Sequence, residues 1–200
     1  DVRVASELDL TTMGKVTLDV PVVSLTGSST TGLMPSGGYV VLASRSQPGD
    51  FADLTLAGTG AYTARVVPGR YDVVYQYRLV VDWEPDVNRA RNTRRVLQSD
   101  VDLTSAGAAT LDVEVHAQKL QGKVSLDGQL AQASYAGRLV LRSSDGTDSA
   151  YLAGVTAASY SAWVFPGTYD VYFVNTSPTT TTPLVRNANA RLGCVIVPDG

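Results

Sequence analysis

Cysteine occurs once in these 200 residues, histidine once, and lysine and glutamate three times each. The single thiol, Cys194, excludes an intrachain disulfide and a cysteine metal cluster. A catalytic triad or metal site built on the lone His116 would need partners that no spacing in the chain identifies. Charge is also scarce: 18% of residues are charged and the formal net charge is −3, so no general basic field exists to hold nucleic acid or an anionic membrane. No run approaches the ~18 apolar residues of a membrane span, so membrane insertion of this segment is not expected. A glycine-rich phosphate loop and a paired-carboxylate signature are both missing. No cofactor is implied, and the chain is not expected to be an enzyme. The start at Asp1, without Met or an apolar leader, fits a removed signal peptide or an excised fragment.

What is present is strand material. Hydrophobic residues make up 44% of the chain, and Thr, Ser, Val, Gly and Tyr are abundant where an amphipathic helix would carry Lys and Glu. Self-similarity is strong. Asp9-Leu10-Thr11 and Thr17-Leu18-Asp19-Val20 return as Asp102-Leu103-Thr104 and Thr110-Leu111-Asp112-Val113, an offset of 93 (9 to 102). Tyr39-Val40-Val41-Leu42 returns as Arg138-Leu139-Val140-Leu141, and Val66-Val67-Pro68-Gly69-Arg70-Tyr71-Asp72-Val73 returns as Val164-Phe165-Pro166-Gly167-Thr168-Tyr169-Asp170-Val171. Three blocks in one order indicate duplication of a unit the size of a whole sandwich domain. The expected architecture is all-β: two tandem Greek-key, Ig-like or prealbumin-like β-sandwich domains, residues 1–98 and 99–200, each with its own core.

Alternation within the blocks reads as strands. Tyr62, Ala64 and Val66, then Tyr71, Val73 and Tyr75 after Pro68-Gly69, are expected to form a hairpin, with Tyr160 to Phe173 as its second copy. Leu18, Val20 and Val22, or Leu111, Val113 and Val115, supply an earlier strand, and Asp127-Gly128 and Asp145-Gly146 mark turns.

Gly122-Lys123-Val124, Asp127-Gly128, the Val-Leu strand, Tyr160 and Pro166-Gly167-Thr168-Tyr169-Asp170-Val171 together resemble the prealbumin-like sandwich of carboxypeptidase-regulatory-like and Cna-B-type repeats. The resemblance spans both copies. It implies a seven-stranded sandwich serving as stalk, spacer or adhesive module on secreted and surface proteins, here bacterial. Gly27-Ser28-Ser29-Thr30-Thr31 and Gly58-Thr59-Gly60 depart from the pattern in the first copy. Some Cna-B domains carry a Lys to Asn or Asp isopeptide; Lys15 with Asn92, or Lys123 with Asn187, are the pairs that resemblance would suggest. None of Glu7, Glu84 and Glu114 falls mid-domain in the second copy, where the assisting acid would sit, so ordinary solvated lysines are expected.

Several segments are candidates for contact. Asp82, Glu84, Asp86 and Asn88 repeat oxygen side chains at every second position, like the start of a calcium loop. The loop glycine and closing Glu are missing, so they form only a weak metal candidate and no metal site is assigned. Trp83 with Arg89, Arg91, Arg94 and Arg95 has the composition of an interface anchor. Thr179 to Thr182, within a Thr/Pro loop, lie at the equivalent place in the second copy. Val195, Ile196 and Val197 form an uncharged β-run open to strand addition. His116 is expected to face outward, and Cys194 is expected to be a buried, inert thiol. Val2 and Val4, ahead of a junction-like Ser6 to Thr11, suggest either that a further repeat precedes this piece or that this strand finds another partner.

The expected function is that of a non-enzymatic structural repeat of the cell surface or extracellular space: a spacer, stalk or filament subunit. Its partners would be neighbouring copies of itself or other surface proteins. The alternative is an adhesive module whose loops bind glycan or protein.

Overall fold

The computed structural model describes residues 19–32, 34, 37–77, 90–105, 107–126, 128–130, 137–154, 158–175 and 189–199. They are strands and loops throughout, and among them no helix is long and apolar enough to cross a membrane. The first sandwich is built from β1 (Val23–Thr30), β2 (Tyr39–Ser44), β3 (Phe51–Leu56), β4 (Gly60–Val66), β5 (Gly69–Gln76), β6 (Arg94–Leu103), β7 (Gly107–Thr110) and β8 (Val113–Glu114). One of its sheets has the order β4-β1-β7, with β8 also on β1; the other has the order β3-β2-β5-β6. In the second sandwich β9 (Gln118–Lys123) pairs with β14 (Ser159–Val164). Facing them is a sheet of β13 (Ser149–Gly154), β12 (Arg138–Ser143), β15 (Gly167–Val174) and β16 (Asn189–Val197), in that order. β10 (Ser125–Leu126) and β11 (Gln129–Leu130) form a small hairpin turned by Gly128, whose φ of 76° suits glycine.

The all-β tandem-sandwich reading holds. Alternation places Val23 and Leu25 of β1, Val40 and Leu42 of β2, and Tyr71, Val73 and Tyr75 of β5 in one buried cluster. Leu139, Leu141, Ala162, Val164, Tyr169 and Phe173 form the corresponding cluster of the second sandwich.

Two expectations are corrected. β4 and β5, and likewise β14 and β15, are not hairpins: each pair is divided between two sheets. The Pro-Gly step carries the chain from one sheet to the other, and a tyrosine holds the corner. The Tyr71 hydroxyl donates to Val67 O at 2.6 Å and the Tyr169 hydroxyl to Phe165 O at 3.0 Å, each four residues back. The Tyr71 ring lies over Gly69, 3.1 Å from where a Cβ would stand, so a side chain there would press on the ring. The second correction concerns the cores. Leu111, Val113 and Val115 belong to the second repeat in sequence, yet they are buried in the core of the first sandwich. β7 and β8 run parallel to β1, with Leu25 opposite Ala109 and Ser29 opposite Val113. Ser99, near which the repeat places the junction, lies inside β6, which pairs with β5 on both sides of it across a register shift. The unit that folds is therefore offset from the unit that repeats.

Candidate functional site

A buried polar constellation lies where the two sandwiches meet. Ala90–Thr93, between β5 and β6 in the chain, lies across the second sandwich. Ala90 bridges Trp163 of β14, while Asn92 bridges Ala150 of β13, so this short strap ties together edges of both sheets of its neighbour. Backbone bonds fix it: Arg91 N donates to Trp163 O at 2.9 Å and Thr93 N to Ser149 O at 2.7 Å. On the side of the first sandwich, the fully buried Tyr75 donates to Ala90 O at 2.9 Å and meets Phe165 edge-on, ring centroids 5.0 Å apart.

Asn92 is the centre of this contact and is fully buried. Its Oδ1 accepts from Phe165 N at 2.9 Å, and its Nδ2 donates both to the Tyr169 hydroxyl, at 3.1 Å, and to an Asp148 carboxylate oxygen. Tyr169 is the corner tyrosine of the second sandwich, so the strap is bonded to the residue that joins that sandwich's two sheets. Asp148 also accepts from Arg94 N at 3.4 Å. Burial pushes the Asp148 carboxyl above its ordinary range, against the lowering effect of its hydrogen bonds from Asn92 and Arg94 and of the Arg95 charge. Burial likewise raises the Tyr169 hydroxyl.

Of the arginines proposed as an interface cluster, the three described ones differ in burial and partners. Arg91 is buried, donates to Leu152 O at 2.7 Å and lies over the Tyr151 ring, 5.7 Å from its centroid. Arg95 is half-buried and donates to Pro166 O at 3.1 Å, and Arg94 begins β6 with an exposed side chain. All three sit at the contact between sandwiches. Trp83, Arg89 and the calcium candidates Asp82, Glu84, Asp86 and Asn88 lie outside the described residues, as do Lys15, Asn187 and Thr179 to Thr182. Lys119 and Lys123 are exposed on β9, and Asn92 is bonded at both ends of its amide. Among the described residues no group of three or more His, Cys, Asp or Glu is placed to hold a metal.

Beside the strap, Arg95, Glu114, His116, Phe165, Pro166 and Asp199 line an open cleft. His116 faces outward as expected, its Nε2 3.1 Å from Gln118 Nε2. Cys194 is exposed, which corrects the expectation of burial: it lies on the outward-facing row of β16. The same alternation divides the apolar run there. Val197 is buried and Val195 half-buried, while Ile196 is 72% exposed on an edge strand that pairs only with β15 among the described strands. Asn92 and Asp148 were not picked out as a pair from the sequence, because neither lies in a repeated block. Tyr169 does lie in a repeated block, and the need of its buried hydroxyl for partners is a signal that could have led there.

No protein-family model matches the chain, and no curated protein matches it. Among solved structures, the Bacillus anthracis TIE protein aligns over 86% of this chain at 10% identity and TM-score 0.33, and the chain spans 31% of that protein. A DUF3823 family protein from Parabacteroides merdae aligns over 90% of this chain and 100% of its own length, at 12% identity and TM-score 0.33. A Bacteroides uniformis structure described as a "putative carbohydrate binding protein" aligns over 88% of this chain and 98% of its own, at 13% identity and TM-score 0.32. At such scores the fold and the site rest on this chain's own strand pairings.

Proposed function

We propose that the chain is a non-enzymatic structural module of the bacterial surface or extracellular space, a prealbumin-like spacer whose repeats are joined by exchanged segments instead of a flexible linker. One observation carries this reading. The second repeat lends β7 and β8 to the first sandwich, and the first sandwich lends Ala90–Thr93 to the second. Links in both directions oppose bending, because motion at the junction must break backbone pairing on one side or the other. The amide of Asn92, the Asp148 carboxylate and the Tyr169 hydroxyl bond to one another in the buried junction, as a structural role requires and as a substrate-facing site does not. The surface placement is supported by the family resemblance of the Pro-Gly-x-Tyr-Asp-Val blocks. The glycan-binding reading depends on Trp83 and Thr179 to Thr182, and no described residue favours it.

The test is backbone NMR relaxation with small-angle scattering. One overall tumbling time for both sandwiches and an unchanging interdomain distance are expected; independent tumbling would overturn the rigid-spacer reading.

A further inference from the structure

Among the described strands the two sandwiches differ by one, and the difference leaves an edge of β9 without a described partner. Register equates β1 with β9. Val23 faces Val66 as Gln118 faces Val164, and Gly27 faces Tyr62 as Gly122 faces Tyr160. β1 lies between β4 and the borrowed β7 and β8, whereas β9 pairs with β14 alone among the described strands. Of the described strands, the first sandwich thus has seven if β7 and β8 are taken as one, and the second has six besides the small β10-β11 hairpin.

The side chains register the same gap. Leu25 is 1% exposed beneath the borrowed strand, while its counterpart Leu120 is only partly buried. The Tyr62 hydroxyl donates to Leu111 O of the borrowed strand at 2.5 Å, and the counterpart hydroxyl of Tyr160 has no partner among the described residues. No described residue of the second core corresponds to Leu111, Val113 and Val115.

The chain also contains a second copy of the strand that fills this place. Gly14 to Val22 repeats Gly107 to Val115, matching Gly107, Thr110, Leu111, Asp112, Val113 and Val115. Of this copy, Asp19 to Val22 are described and pair with no described strand, and Val20 is 43% exposed where its counterpart Val113 is buried. Pro21 stands where Glu114 stands. Leu111 N and Val115 N donate to Thr26 O and Thr30 O, so alternation turns the intervening N–H of residue 114 away from β1, and a proline there costs the ladder no donor. In the first sandwich Asp112 accepts from Ser28; Lys123 occupies the position of Ser28 on β9, so an incoming Asp19 meets an ammonium group.

We propose that the free edge of β9 is an acceptor for the segment Gly14–Val22 of a second copy of this chain. The segment adds in parallel, and Leu18, Val20 and Val22 complete the second core. This rests on the structural reading above and specifies the partner. Because donor and acceptor are different surfaces, the contact is head-to-tail, and each added copy presents a fresh edge.

Two variants of the whole chain test it. Gln121→Pro removes an N–H that faces the open edge, by its equivalence to Thr26, and leaves the β14 ladder intact; Leu18→Asp disables the donor. Light scattering is expected to show concentration-dependent oligomers for the parent chain and monomers for each variant. A mixture should give a one-to-one heterodimer, since one variant keeps a working donor and the other a working acceptor. A synthetic peptide of residues 9–22 is expected to cap the parent chain and slow amide exchange at Gln121 and Lys123. Its Leu18→Asp form should bind at least about tenfold more weakly. The peptide measurement needs no variant to fold. A parent chain that stays monomeric overturns the proposal, even if the peptide binds. Oligomers indifferent to both variants overturn it as well, while leaving the spacer reading standing, because that reading is judged on tumbling within one chain.

Discussion

The Asn92 side chain, carried on a strap from the first sandwich, donates to the Tyr169 hydroxyl 3.1 Å away in the core of the second. Tyr169 in turn donates to Phe165 O, so one continuous set of hydrogen bonds runs from the strap to the corner that joins the second sandwich's sheets. Removing a member of such a buried set leaves its partners unsatisfied, and that cost exceeds the value of the bond itself.

Asn92→Ala strips partners from Phe165 N, Asp148 and the Tyr169 hydroxyl together. A loss of about 2–4 kcal/mol is expected, read as a lower urea midpoint with little change in slope. Fluorescence of Trp163, beside the strap, should report the same transition.

The corner tyrosines should differ in value. Tyr71→Phe removes one bond to Val67 O and is expected to cost about 1 kcal/mol, whereas Tyr169→Phe also strips Asn92 of an acceptor and is expected to cost about 2 kcal/mol. Thermal denaturation of the two variants side by side checks the order.

Stability should carry a pH signature at Asp148. Its carboxyl is raised by burial, so the folded state binds the proton more tightly than the unfolded one does. The contribution is therefore fully present below the ordinary aspartate range and is lost as pH rises through the raised value. Asp145 acts oppositely. Held at about 2 by bonds from Ser143 and Thr147, it supports the fold above the ordinary aspartate range and ceases to do so as pH falls toward 2. Asp148→Asn should flatten the first part of the profile and leave the acid limb in place, as measured by melting temperature against pH.

Glycine substitutions should separate by position. A Cβ on Gly27 would stand 1.9 Å from Leu111 O of the borrowed strand, so Gly27→Ala must displace that strand and is expected to cost about 2 kcal/mol or more. Gly193→Ala enters open space and should fall within about 0.5 kcal/mol of the parent. Calorimetry of both variants gives the comparison.

Cys194 should react with a maleimide in the folded protein, to one label per chain, and Cys194→Ser should leave stability unchanged. Labelling that required denaturant would contradict its exposed place on β16.

Much of the fold was legible in the residues. The blocks ending in Tyr71-Asp72-Val73 and Tyr169-Asp170-Val171 identified two β-sandwiches, because alternation at period two reports a buried face wherever it occurs. The route of the chain between sheets was less legible. Pro68-Gly69 is as good a hairpin turn as it is a crossing, and only the Tyr71 ring over Gly69, with its bond to Val67 O, shows which was made. At the junction, Arg91, Arg94 and Arg95 were singled out from their charge, yet the centre of the contact is Asn92, a residue with no pattern to announce it.

Local chemistry, which a sequence contains in full, determined the strands, their inward faces, the duplication and the scarcity of residues for metal or covalent chemistry. Tertiary structure alone decided which strands share a sheet. Leu111 and Val113 are apolar in either sandwich, and only the parallel place beside β1 sends them to the core of the first. That choice depends on contacts between residues more than 80 positions apart, such as Ser28 with Asp112. Residue order along the chain does not encode the distance between them in space.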